Sequence, residues 1–189
     1  MSVELLEKAL ASTAAVLANV KADQLDDPTP CASWKVRDLL NHIVGGTYFF
    51  ATIAETGGPP ASDAAPGDFS TGDFNAIFDE GARRAVAAFR AEGAMEKQMT
   101  LPFGQLPGAV FVNIAATDSF AHGWDLARAT GQATDLDPDL ARQLLDNARS
   151  FLPDAMRGAD GQAPFGPRVD VPDTAAPADQ LAGFLGRRV

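Results

Sequence analysis

The stretch GAVFVNIAATDSFAHGWDLARATG, residues 108–131, decides the fold. Val110, Phe111, Ile114, Ala115, Ala121 and Leu126 recur at the three- and four-residue spacing of a helix with one buried face, and Gly131 suits the left-handed position that ends it. Turning each residue by about 100° puts Asp118, His122 and Asp125 within about 60° of one another, in the middle of that apolar stripe. A solvated charged face would lie on the opposite side. Burying an unpaired carboxylate is costly, so these groups require a compensating partner.

Working outward, MTLPFGQLPG (99–108) reads as two short extended stretches around a Pro-Phe-Gly turn, a short β-hairpin or an extended connector. Further upstream, Thr71 caps a third helix that carries Phe74, Ile77, Phe78, Val86 and Phe89 and ends near Gly93. TGGPPASDAAPGD (56–68) is a loop by composition. The second helix begins near Trp34 or Lys35 and runs to about Ala54, with Val36, Leu39, Leu40, Ile43, Val44 and Phe50 on its buried side. A first helix spans about Val3 to Val20, burying Leu6, Leu10, Val16 and Leu17. Downstream, Asp137-Pro138 is a cap followed by proline at the first helical position, opening a fifth helix through about Phe151. Residues 157–177 are rich in glycine and proline, and a short helix from Ala178 to Leu185 follows. No repeat or linker divides the chain, which reads as an all-α protein of one domain over residues 1–189.

Composition narrows the function. With 15 basic against 25 acidic residues, the formal charge of -10 repels a phosphate backbone, and no basic cluster offsets it, so nucleic acid is not an expected partner. No apolar run is long enough to span a bilayer, and the N-terminal segment has helical periodicity where a signal peptide would have an uninterrupted apolar block, so a cytoplasmic protein is expected. The single cysteine, Cys31, excludes a disulfide within the chain and reads as a small buried hydrophobe at some distance from His42.

There are only two histidines. His42 lies one turn from Leu39, at the edge of the second helix's buried face. Two imidazoles and one carboxylate, with Asp118 and His122 spaced i, i+4 on one helix, can form three corners of a metal site, and facing helices of a bundle converge such ligands naturally. Against this stands a simple buried Asp118–His122 pair with His42 satisfied elsewhere. A Ser-His-Asp arrangement through Ser119 is discounted, because Ser119 points about 100° away from Asp118. Asp125 is either the partner that orients a ligand imidazole or an ion-pair partner of Arg128. Trp34 and Trp124 read as core aromatics in preference to substrate contacts.

TPCASWKVRDLLNHIVGG (29–46), TDSFAHGWDLARATGQ (117–132) and the ending DQLAGFLGRRV (179–189) together resemble the DinB-like metal-binding superfamily, and within it the mycothiol-dependent maleylpyruvate isomerase-like group of actinobacterial proteins. The resemblance implies an up-and-down four-helix core with additional C-terminal helices, and a metal held by His42, Asp118 and His122. Asp118 stands where the isomerase has a glutamate, so the reach is one methylene shorter. The chain also ends soon after its last helix, without the isomerase's further C-terminal domain, so maleylpyruvate specificity is not carried over. Zinc or nickel is the expected ion, with iron also compatible.

Two functions compete at this point. One is a metal-dependent enzyme acting on a small thiol or an electrophilic substrate, with mycothiol as cosubstrate on the strength of the resemblance alone. The other is a non-catalytic bundle that binds a small ligand or a metal. Access to the metal is expected between the loops 57–67 and 158–172. A homodimer stays open, and the sequence names no interface for one.

Overall fold

Leu6, Ala9, Leu10, Thr13, Val16 and Leu17 form the buried side of α1, Ser2–Leu17. The computed structural model describes residues 2–189 apart from 32, 60–66, 102–103, 160–161 and 164. The second helix, α2, spans Val36–Thr56. Asp38 caps it by accepting from the Lys35 amide at 3.0 Å, and it ends on Gly57 in a left-handed conformation. The third, α3, is Phe74–Arg90. Its cap is Asp73, whose carboxylate accepts from the Ala76 amide at 3.1 Å. Thr71, the cap expected from the sequence, sits in a preceding 3-10 turn and donates to the Asp68 carbonyl. Both residues are good caps, and the choice fell to the one adjacent to the first helical turn.

Strands β1 (Gln98–Leu101) and β2 (Gly104–Pro107) pair antiparallel, Met99 opposite Leu106, and make the short hairpin. Two positions of its turn, 102 and 103, lie outside the described residues, as does most of the 57–67 loop. The hairpin's base starts α4, Gly108–Ala129: the Gly108 amide donates to the Lys97 carbonyl and that of Ala109 to Met95, satisfying donors for which no side-chain cap exists. At its other end Gly131 takes φ 69°. In α5, Pro138–Phe151, Asp137 caps the Leu140 amide as the sequence indicated. The short α6, Pro177–Phe184, packs on α5 and α4, with the Trp124 indole donating to Asp179 at 2.8 Å.

The four-helix core expected from the sequence is α1 to α4. Phe50, Phe89 and Phe111 from three of these helices meet edge-on or tilted, with centroids 5.8 Å apart in each pair with Phe111. Full burial of each such side chain contributes roughly 1.5–3 kcal/mol. The directions do not simply alternate. Tyr48 bonds to Ile77 and Glu55 pairs with Arg84, so α2 and α3 run the same way. His42 lies near Asp118 and Phe50 near Phe111, so α4 runs opposite to α2. Thr13 bonds to Ser119 and Val16 to Gln132, so α1 runs with α4. The order is up, down, down, up.

Candidate metal centre

Two helices bring the histidines together. In α2, Leu39 and Ile43 are drawn into the core, which carries His42 to the boundary facing α4. In α4 every residue from Ser119 to Ala127 is buried, because α1, α2, α5 and α6 all touch it. Gly123 makes that enclosure fit. A Cβ there would stand 2.5 Å from the Thr13 hydroxyl, so glycine lets α1 close directly behind His122.

The imidazoles of His42 and His122 stand edge to face with centroids 4.6 Å apart. Asp118 Oδ1 is 3.5 Å from His122 Nε2 and 3.9 Å from His42 Nε2. One donor atom from each of His42, Asp118 and His122 lies within 4.8 Å of the other two. His42 Nε2 is buried and makes no hydrogen bond, although the ring as a whole is 37% exposed. His122 is almost fully buried and the Asp118 side chain is 33% exposed, so the group is partly open to solvent.

Behind His122 the polar network continues. Asp125, fully buried, places Oδ2 at 3.0 Å from His122 Nδ1. Its ion-pair partner is Arg187, from the segment after α6, with Nη2 at 3.0 Å from Oδ2; Arg128 does not take that place. The segment reaches α4 because Gly186 turns it at φ 93°. Cys31 Sγ donates to Asp125 Oδ2 at 3.3 Å and lies 4.0 Å from His122 Nδ1. The bland reading of Cys31 as a remote buried hydrophobe is thereby corrected: it is half-buried against charged groups. The loop holding it is knit by Thr29, whose hydroxyl accepts from the Cys31 amide and donates to the Trp34 carbonyl at 2.9 Å.

Electrostatically the network alternates in sign. Burial would push the Asp118 carboxyl up, and the adjacent His122 charge overrides it, leaving Asp118 well below the usual carboxylate range. Burial would lower His122, and the Asp118 charge instead raises it well above the usual imidazole value. Burial likewise opposes the ionised form of Asp125, which the His122 hydrogen bond and the Arg187 charge restore, so its value is lowered.

The site residues named from the sequence, His42, Asp118, His122 and Asp125, thus meet at one place. Cys31 and Arg187 were missed. Proximity of Cys31 to a helix start bearing His42 was a usable signal, since a loop entering that helix folds over its first turns. For Arg187 there was no local signal, as its partner lies 62 residues away. Of the loops expected at the mouth, most of 57–67 lies outside the described residues; beyond it the Phe69 amide donates to Asn41, beside His42, at 2.8 Å. The segment flanking the histidines is the 29–34 loop.

Fold and site together define a helical bundle with a histidine–carboxylate cluster, and the chain belongs to the family described as the mycothiol maleylpyruvate isomerase N-terminal domain, whose model matches residues 6–127. Two relatives from Mycobacterium tuberculosis, the uncharacterized proteins Rv0738 of strain H37Rv and MT0763 of strain CDC 1551, are each 43% identical over 183 residues, 97% of this chain and 96% of the relative. The crystal structure of the mycothiol-dependent maleylpyruvate isomerase superposes with a TM-score of 0.59 at 16% identity, covering 76% of this chain and 66% of that one, which establishes the shared fold. Among the described residues no helix is long and apolar enough to cross a membrane.

Proposed function

We propose that this chain binds one divalent metal ion through His42 Nε2, Asp118 and His122 Nε2, and uses it in a reaction of a small thiol. One observation carries the metal: three donor atoms mutually within 4.8 Å, one of them a buried imidazole nitrogen with no hydrogen bond. Leaving such a group unsatisfied is costly, and a cation is the partner that suits a lone pair facing a carboxylate. Two imidazoles and one carboxylate fit zinc, nickel or iron. Three protein ligands on a partly exposed site also match a reactive ion better than a closed structural one.

When bound, the ion would supply Lewis acidity and lower the pKa of a coordinating thiol. The chain's residues do the rest. Asp125 holds His122 Nδ1 and so fixes which nitrogen faces the site. Trp34 covers one side of both imidazoles and limits water there, with its centroid 4.7 Å from that of His42. The thiol follows from the family, whose named isomerase is mycothiol-dependent. We read residues 1–189 as one unit, because the segment after α6 returns to α4 through Arg187.

Elemental analysis after mild purification, followed by titration with zinc and nickel, tests the site. Stoichiometric metal in the wild type and its loss in His42→Ala/His122→Ala are expected; equal binding by both sinks the site. Turnover assays with mycothiol and electrophilic acceptors then separate enzyme from non-catalytic binder, and activity that survives removal of the metal would refute the metal's part in it.

A further inference from the structure

His122 faces two donor sets. Its Nε2 is turned towards His42 and Asp118, while its Nδ1 is 3.0 Å from Asp125 Oδ2 and 4.0 Å from Cys31 Sγ. The second set, Cys31, His122 and Asp125, also offers three ligand atoms mutually within 4.8 Å, and it adds a sulfur. Spacing alone does not choose between them. A neutral imidazole has one lone pair, so a His122 that ligates through Nε2 carries its proton on Nδ1 and is closed to the second set.

Arg187 breaks the tie. Its Nε lies 3.2 Å from Asp125 Oδ1, and its Nη2 lies 3.0 Å from Oδ2 and 3.9 Å from Cys31 Sγ. A cation that keeps its proton throughout the ordinary pH range thus stands on the donors that a second metal ion would need. It also keeps Asp125 an acceptor, for which the matching group on His122 is Nδ1–H. Arg187 lies outside the residues 6–127 that match the family model, so this part of the centre comes from elsewhere in the chain.

We propose that Arg187 is a positioning residue that closes a second, thiolate-containing metal site at Cys31, His122 and Asp125 and thereby assigns His122 Nε2 to the site with His42 and Asp118. The assignment to the first site rests on the metal-binding function proposed above; the closure of the second does not.

Cadmium and cobalt ions are the probes, because their thiolate complexes have charge-transfer bands in the ultraviolet. Wild type should show no Cys31-dependent charge-transfer band with either ion. Arg187→Gln should show one, Cys31→Ser in the Arg187→Gln background should remove it, and Arg187→Lys, which keeps a cation there, should be silent again. Zinc affinity of the first site should fall about 10- to 100-fold in Arg187→Gln, the usual consequence of losing support behind a ligand. A Cys31-dependent band in wild type, or its absence in a folded Arg187→Gln, overturns the proposal. If Arg187→Gln does not fold, nitrogen-15 labelling of the two histidines in zinc-loaded wild type decides: an exchange-protected Nδ1–H on His122 supports the proposal, and an unprotonated Nδ1 overturns it. Should wild type bind no metal while Arg187→Gln gains the band, the metal-binding function fails and the closure stands.

Discussion

The indole of Trp34 lies 4.7 Å from the His42 ring and 5.9 Å from the His122 ring, centroid to centroid, so one aromatic surface touches both imidazoles that would bind metal. Trp124, the other tryptophan, is buried and bonded to Asp179. Nickel or cobalt bound between the histidines should therefore quench most of the Trp34 emission and much less of that from Trp124. Comparing the quench in wild type with that in Trp34→Phe and Trp124→Phe checks this. An undiminished quench in Trp34→Phe would mean that the ion sits elsewhere.

The metal-free protein should lose stability as the solution turns alkaline. His122 is raised above its ordinary value of 6.5, so its contribution is complete below that value and is lost as pH rises through the folded value. Asp118 is lowered below its ordinary 3.8, so its contribution is complete above that value and is lost as pH falls through the folded one. Both descriptions concern one ion pair, at full strength between about 4 and 6.5. Urea unfolding in the presence of a chelator should show His122→Gln flattening the decline that sets in above about pH 6.5. Identical pH dependence in variant and wild type would remove the pair from the account.

Metal uptake should release a proton, because His122 is protonated in the metal-free pair and must be neutral to ligate. Zinc affinity should accordingly climb with pH across the neutral range. Calorimetric titration in buffers of different ionisation enthalpy counts the proton, and no buffer dependence would contradict a ligand role for His122.

Removing Asp125 should be harmful through charge as much as through metal. Asp125→Ala leaves Arg187, whose side chain is 14% exposed, without its counterion, and breaking a buried pair from one side costs about 3–5 kcal/mol. Asp125→Ala/Arg187→Met should recover part of that loss. Denaturant midpoints give the comparison; a double variant no more stable than the single one would show that the pair is not what holds the segment after α6.

Gly123→Ala should disturb both stability and site. The added methyl meets the Thr13 hydroxyl at 2.5 Å, and overpacking of this kind costs typically about 1–3 kcal/mol. Gly123→Ala/Thr13→Ala should relieve it, as followed by thermal melting and by zinc affinity.

Helices and their buried faces were legible because apolar periodicity is a local signal: Leu39, Leu40 and Ile43, or Phe111 and Ala115, lie inside as their spacing requires. The convergence of His42, Asp118 and His122 was legible for a related reason, since polar groups within an apolar stripe demand partners and few were on offer. What was not legible depends on distance along the chain. The shared direction of α2 and α3 is one such case, since no local pattern records which way a helix runs against its neighbour. The pairing of Asp125 with Arg187, 62 residues away, had a nearer rival in Arg128, and helix spacing favoured the rival until the turn at Gly186 was seen. Cys31 was misjudged from composition, because a lone cysteine shows its surroundings only when the loop carrying it is folded.

Cys31 and Arg187, 156 positions apart, approach within 3.9 Å around the same histidine. An ion held by that histidine would be bound most tightly when almost the whole chain has closed, so it would act as a thermodynamic clasp on the entire fold and not on one helix pair alone. By mass action, free ion at a hundred times its dissociation constant would add about 2.7 kcal/mol to global stability, and amides as far away as α6 would then exchange more slowly along with those of α2 and α4.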